Sequence, residues 1–286
     1  MNARFNAKAC SAVLLGVLLL LPRPSLAASS GCSDIFVALG QGPGNVAGAH
    51  LLLTAALTQA TLPLGSGTTN GGFGLNMWAS IVDRDGIVCL VTFTGKERGE
   101  QWPGSRVISA QKANTANAFS LPGLALSTAN LYTAVQPGGT LFGLQESNPV
   151  DVGVAYRGDP SNNGTQTDAM LDGRIGGVNV FGGGLALYRA SDHKLLGGIG
   201  VSGDSSCADH NIAWKTRAIL NLDNIPGGVD PASHTDNIVY DIAKPGKSQA
   251  VDAKSASGWG HPQCSDAATA VAIGLPTSFP VGPNPQ

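Results

Sequence analysis

The sequence predicts an α+β domain in which an antiparallel sheet is flanked by helices. Three observations lead there: apolar, β-rich runs come in pairs around tight turns, runs with helical spacing lie between and after those pairs, and strand does not alternate with helix as a parallel βαβ sheet requires.

From Asn45 to about Ala60, Ala47, Leu51 and Ala55, with Leu52 and Ala56 one turn round, recur at helical spacing, and Pro63 stops the run. Leu75 to Val82 and Ile87 to Phe93 flank Asp83-Arg84-Asp85-Gly86, a hairpin signature. Met77 and Trp78 alternate on its first strand, so one faces the core and the other the opposite surface, and either could line a pocket. Ser105 precedes one helical run and Ser127 a second, which Pro137-Gly138-Gly139 ends. Residues 140 to 176, rich in Gly, Asn, Asp and Pro, read as a long insertion or lid. Val178 to Tyr188 and Lys194 to Ser202 form a second hairpin whose Gly182-Gly183-Gly184 implies a bulge or a close neighbour. Ser205 and Ser206 open a helix running to about Leu220, with Asp209 three residues after Ser206 in an approximate capping box. Asn237 to Ile242 reads as a short strand. The chain then divides into residues 1–27, an N-terminal segment 28–44, one domain over 45–242 carrying the insertion, and a turn-rich tail over 243–286.

The first 27 residues carry Arg4 and Lys8, an apolar run from Ala9 to Leu21, and small residues at Ser25 and Ala27, the pattern of a cleavable signal peptide. That run is shorter than the ~20 residues that span a bilayer, so the mature chain is expected to be periplasmic or secreted from a bacterium, with no membrane insertion. Cleavage after Ala27 removes Arg4, Lys8 and Arg23, leaving 14 basic against 19 acidic side chains and a net charge of −5. A basic nucleic-acid footprint is thereby excluded. The 39 glycines in 286 residues and only 13% charged side chains suit a compact fold with close backbone approaches. Once Cys10 leaves with the signal, Cys32, Cys89, Cys207 and Cys264 form an even set, which in an exported protein reads as disulfides. Three connectivities exist; Cys207 with Cys264 and Cys32 with Cys89 is the favoured one. None of the four has the spacing of a zinc site.

Val82-Asp83 with Gly86, Ala110 with Lys112-Ala113 and Thr115-Ala116, Gly183-Gly184, and Gly197 or Gly198 with Gly200-Val201-Ser202-Gly203 occur in an order that resembles the GlcG/HbpS haem-binding family, over about Asn45 to Leu220 without the insertion. The resemblance implies a profilin-like α+β fold, homo-oligomers, and haem as cofactor, with a corrinoid as the alternative tetrapyrrole. Cys207-Ala208-Asp209-His210, the insertion and the cysteine-bearing tail depart from the family pattern.

Haem needs an apolar slot, an iron donor and cations for its propionates. His210, at the start of a helix and one turn before Trp214, is the first candidate for the iron, and His50 the second; His193 falls in a hairpin turn and reads as solvated. The alternative for His210 is a surface or capping histidine. Arg106 and Lys112 share a helix side and could meet propionates, or form a solvated face. No C-x-x-C-H, G-x-S-x-G, H-E-x-x-H or P-loop occurs, so the chain reads as a small-molecule binder more than an enzyme. Gly198 to Gly203 superficially resembles a dinucleotide loop but ends a hairpin strand. The rival readings are a hydrolase or redox enzyme whose lid is the insertion, and an oligomeric interaction module without a cofactor.

Overall fold

A computed structural model describes residues 30–62, 70–242 and 255–282. The expected signal peptide lies outside these residues. The chain folds as one α+β domain around a four-stranded antiparallel sheet, in the order β2-β1-β4-β3. Its elements are α1 (Ser30–Ala38), α2 (Val46–Thr61), β1 (Trp78–Asp83), β2 (Val88–Phe93), α3 (Ser105–Phe119), the one-turn helices α4 (Leu144–Ser147) and α5 (Val152–Ala155), β3 (Gly184–Tyr188), β4 (Leu195–Ser202), α6 (Ser206–Ile219) and α7 (Asp266–Ser278).

Local chemistry accounts for most boundaries. The Asn45 side chain caps α2 by accepting from the Gly48 N–H, and Ser205 caps α6 by accepting from Ala208. Asp209, expected as the partner in a capping box, instead accepts from the Asp204 N–H at 2.8 Å. Asp83 Oδ1 accepts the N–H groups of Asp85 and Ile87, closing the first hairpin turn, where Gly86 takes φ +75°.

The structure revises or completes several expectations. The helix expected after Ser127 is two short 3₁₀ pieces, Thr128–Leu131 and Thr133–Val135. The strand expected at Asn237–Ile242 makes only isolated bridges, Val239 with Gly260 and Ile242 with Ser255. The segment before Asn45 contains α1, and the turn-rich tail contains α7 despite Pro276 within it. Met77 and Trp78 do point to opposite faces, but both are buried because helices cover the sheet on both sides.

On one face α1, α2 and α6 bury a core that includes Phe36, Leu53, Leu57, Ile81, Ile199 and Trp214. On the other, α3 covers Trp78, Val82, Val88 and Val91, and Ala155, Met170 and Ile175 of the insertion complete the layer. The helix α3 lies so close to the sheet that a Cβ on Gly200 would fall 1.8 Å from the Ser109 carbonyl oxygen, and one on Gly198 2.3 Å from that of Ala113. These strand glycines are a helix-packing track. Two disulfides staple the periphery: Cys32–Cys89 ties α1 to β2, and Cys207–Cys264 ties the tail to α6. Among the described residues, no helix is long and apolar enough to cross a membrane.

Because backbone cannot yield as a flexible side chain can, Gly200→Ala is expected to destabilise the fold by about 3 kcal/mol or more. A fall in the urea midpoint at unchanged m-value would register it, and a wild-type midpoint would contradict the close approach.

Candidate functional site

The histidine favoured from sequence is a core side chain. His210 is 0% exposed, with Nε2 3.1 Å from both Asn237 Oδ1 and the Ile238 nitrogen, while Nδ1 has no partner. Burial pushes its pKa down to about 4. The expected neighbour Trp214 is there, ring centroids 6.2 Å apart, but its Nε1–H donates to the Phe279 carbonyl and the Arg217 guanidinium lies 5.1 Å over its face. Arg217 in turn pairs with Asp236 through two bonds of 2.6 and 2.8 Å, wholly buried. The space next to His210 that a flat ligand would enter is filled by Asn237 and Ile238.

The two cations proposed for propionates are likewise committed inward, which corrects that expectation. Arg106 forks onto Asp168 of the insertion and donates to the Ala155 carbonyl at 2.8 Å. Lys112 donates to Asp209 Oδ2 at 2.7 Å and to the Val201 carbonyl at 3.3 Å. Burial raises the Asp209 pKa to about 6, against the pull of Lys112. Both cations are therefore neither a solvated face nor free to bind an anion. His193, exposed in its turn with φ +58°, is solvated as expected, and His261, which sequence reading did not single out, is buried against Tyr132 with its pKa pushed down to about 4.

His50 stands differently. It is half-buried on α2, and its Nε2 lies 3.0 Å from the carbonyl of Gly164 in the insertion. It forms one wall of a cavity of about 400 Å³, with Thr54, Thr92 and Phe93 and the insertion strip 164–167 opposite. A second cavity of about 370 Å³ shares Gln166 and Thr167 with the first and continues past Val46 and Phe36 to the Cys32–Cys89 disulfide. Together they form a cleft between α2, β2 and the insertion. The first cavity falls within the size range of small-molecule sites. Lys96 and Arg98, both exposed, follow Gly95 of the cavity rim. The sequence held one signal for this cleft, a histidine on an otherwise uncharged helix facing an unusually long insertion.

A four-stranded antiparallel sheet covered on both faces, with a ligand-sized cleft at its margin, defines a mixed α+β domain. The family model for the haem degrading protein HbpS-like matches residues 53–218. The chain belongs to that HbpS-like family. No curated protein matches it. Among solved structures it is similar to the crystal structure of a PduOC:heme complex, at 26% identity and a TM-score of 0.41 over 61% of this chain and 94% of that one. It is also similar to the Klebsiella pneumoniae protein ORFY, of family DUF336, at 22% identity and a TM-score of 0.40 over 62% and 89% of the two chains.

Two predictions follow from the buried charges. Arg106→Met strands Asp168 and should cost about 3–5 kcal/mol in equilibrium unfolding, whereas an unchanged midpoint would mean the carboxylate finds water. On acidification, unfolding lets His210 and His261 take up protons that the folded chain refuses between their ordinary value near 6.5 and about 4. That stabilisation is complete above pH ~6.5 and lost as pH falls toward 4, while Asp209, between about 6 and its ordinary value of 3.8, and Asp223, whose pKa burial also raises, work oppositely. The net expectation is a loss on the order of 3 kcal/mol, measured as urea midpoints at pH 7 and pH 4 and reduced in His261→Gln.

Proposed function

We propose that this protein is an exported haem binder that holds a tetrapyrrole non-covalently in the α2–β2–insertion cleft, for storage, scavenging or sensing. The observation that supports the place is the contrast between the two histidines: His50 lines an open cavity of about 400 Å³, and His210 is sealed. Family membership supports the ligand class. The residues support it: Phe93 offers an apolar wall and His50 an imidazole for iron, and exposed Lys96, next in sequence to the lining residue Gly95, offers a positive charge for a propionate. Haem, when bound, supplies a redox-active iron. The chain's part is to orient it, and His50 gives up its contact with Gly164 to do so, which couples ligand entry to the insertion. A corrinoid would use the same slot. The signal peptide ending at Ala27, the single domain over 45–242 with its tail, and homo-oligomeric assembly belong to this proposal, and the two disulfides support an oxidising destination.

Titration of the oxidised, signal-free protein with haemin should give a saturable Soret shift that His50→Ala weakens at least about tenfold. A shift abolished in folded His210→Ala but intact in His50→Ala would transfer the site to α6, and no shift in the wild type would end the haem reading. The family's haem degrading description favours turnover as a second reading. Bleaching of the Soret band under a reductant and dioxygen separates a catalyst from a carrier.

A further inference from the structure

We propose that Ser206 and His261 form a nucleophile–base pair that accepts acyl groups from esters with a good leaving group, aryl esters being the substrate class, at a place apart from the haem cleft. The proposal does not rest on haem binding. The two residues stand 55 apart in sequence, and no motif joins them. They meet because the tail crosses the start of α6, where the Cys207–Cys264 bond holds it.

Hydrogen-bond chemistry fixes the two roles. His261 Nδ1 lies 2.7 Å from the Pro262 carbonyl, which can only accept, so in the neutral ring Nδ1 carries the proton and Nε2 is the acceptor. Nε2 faces Ser206 Oγ at 3.3 Å, and the hydroxyl therefore donates to it. A nucleophile, a base within reach of it and a third group orienting the base are the parts of an activated serine. The Cys264 sulfur, 3.5 Å from Oγ, is disulfide-bonded and only a weak acceptor, so it does not displace the imidazole. Ser205 caps α6, which leaves the half-buried Ser206 side chain without a capping duty. The Ser206 N–H, first in the helix, meets no acceptor among the described residues. It stands at the positive helix end, where a nucleophilic serine's own N–H can receive the oxyanion of a tetrahedral intermediate.

An aromatic wall adjoins the pair. Gly182 packs so tightly on the Ser206 carbonyl that a Cβ there would fall 2.4 Å from its oxygen, which brings the next residue, Phe181, alongside with 47% of its surface exposed. The Tyr132 ring lies 6.3 Å from that of Phe181 and 5.0 Å from that of His261. Such faces suit an aryl group. Burial pushes the His261 pKa down to about 4, which keeps Nε2 unprotonated at neutral pH but makes it a modest base, and the leaving group must then be a good one.

The atoms balance with water as the second reactant. Oγ bonds to the ester carbonyl carbon as its proton passes to Nε2, and the oxyanion accepts from the Ser206 N–H. The carbon–oxygen bond to the leaving phenolate breaks, and Nε2 returns the proton to it. Water then adds to the acyl carbon, gives a proton to Nε2, and frees Oγ, which takes that proton back as the carboxylic acid departs.

The probes are a tagged fluorophosphonate, which loses fluoride to an activated serine, and p-nitrophenyl butyrate, each applied to full-length mature, oxidised protein. The tag should map to the peptide carrying Ser206, and the ester should give a burst of about one nitrophenolate per chain. Ser206→Ala, which keeps the Ser205 cap, should abolish both, and His261→Gln should slow acylation at least about a hundredfold. An unlabelled wild type, a label on any other residue, or an undiminished burst in Ser206→Ala would overturn the proposal. Wild-type acylation by folded His261→Gln would remove His261 as the base. If that variant does not fold, the mapped label and Ser206→Ala still decide.

Discussion

The approach of the α3 backbone to β4 is the constraint on which the rest of this structure depends. With no side chain at Gly198 or Gly200, helix and sheet meet nearly backbone to backbone, and the apolar layer between them is thin. Long side chains on α3 therefore cannot fold down beneath it and instead run outward along the sheet. Arg106 reaches the insertion and Lys112 reaches α6, and each meets a buried carboxylate. One close contact thus sets the distance over which two ion pairs connect three parts of the chain. Such pairs contribute less to net stability than to fixing which arrangement forms, since desolvation offsets much of their attraction.

Covering both sheet faces also decides where a ligand can go. All six residues of β1, all five of β3 and all eight of β4 are buried. What stays open is the margin, where α2 and the insertion stand on either side of β2. The insertion is anchored inside by Asp168, Met170 and Ile175, and the His50 ring meets it at the Gly164 carbonyl.

Elements whose signals are local were legible in the sequence. The first hairpin reads correctly because Asp83 and Gly86 specify its turn, and α2, α3 and α6 lie within a few residues of expectation because caps and spacing mark them. The helix α7 escaped because Gly274 and Pro276 mimic a loop composition, and α1 because it is short. Burial was the wider gap. The pairing of His210 with Trp214 follows from helical spacing and is present, but a segment 27 residues further on seals it, and no periodicity near position 210 announces that. Arg106 and Lys112 show the same limit, since a charged helix face looks alike whether water or a distant carboxylate meets it.

The two disulfides each close a loop of separation 57, one near either end of the described chain, and the loops do not overlap. As a covalent graph the molecule is two rings joined by the single strand of chain from 90 to 206. A protease that cuts inside either ring releases nothing, because sulfur still joins the pieces. A cut in the insertion, which lies on the connecting strand, divides the protein into two covalent halves that only non-covalent contacts hold together: the sheet, the apolar layers on its faces and the buried ion pairs.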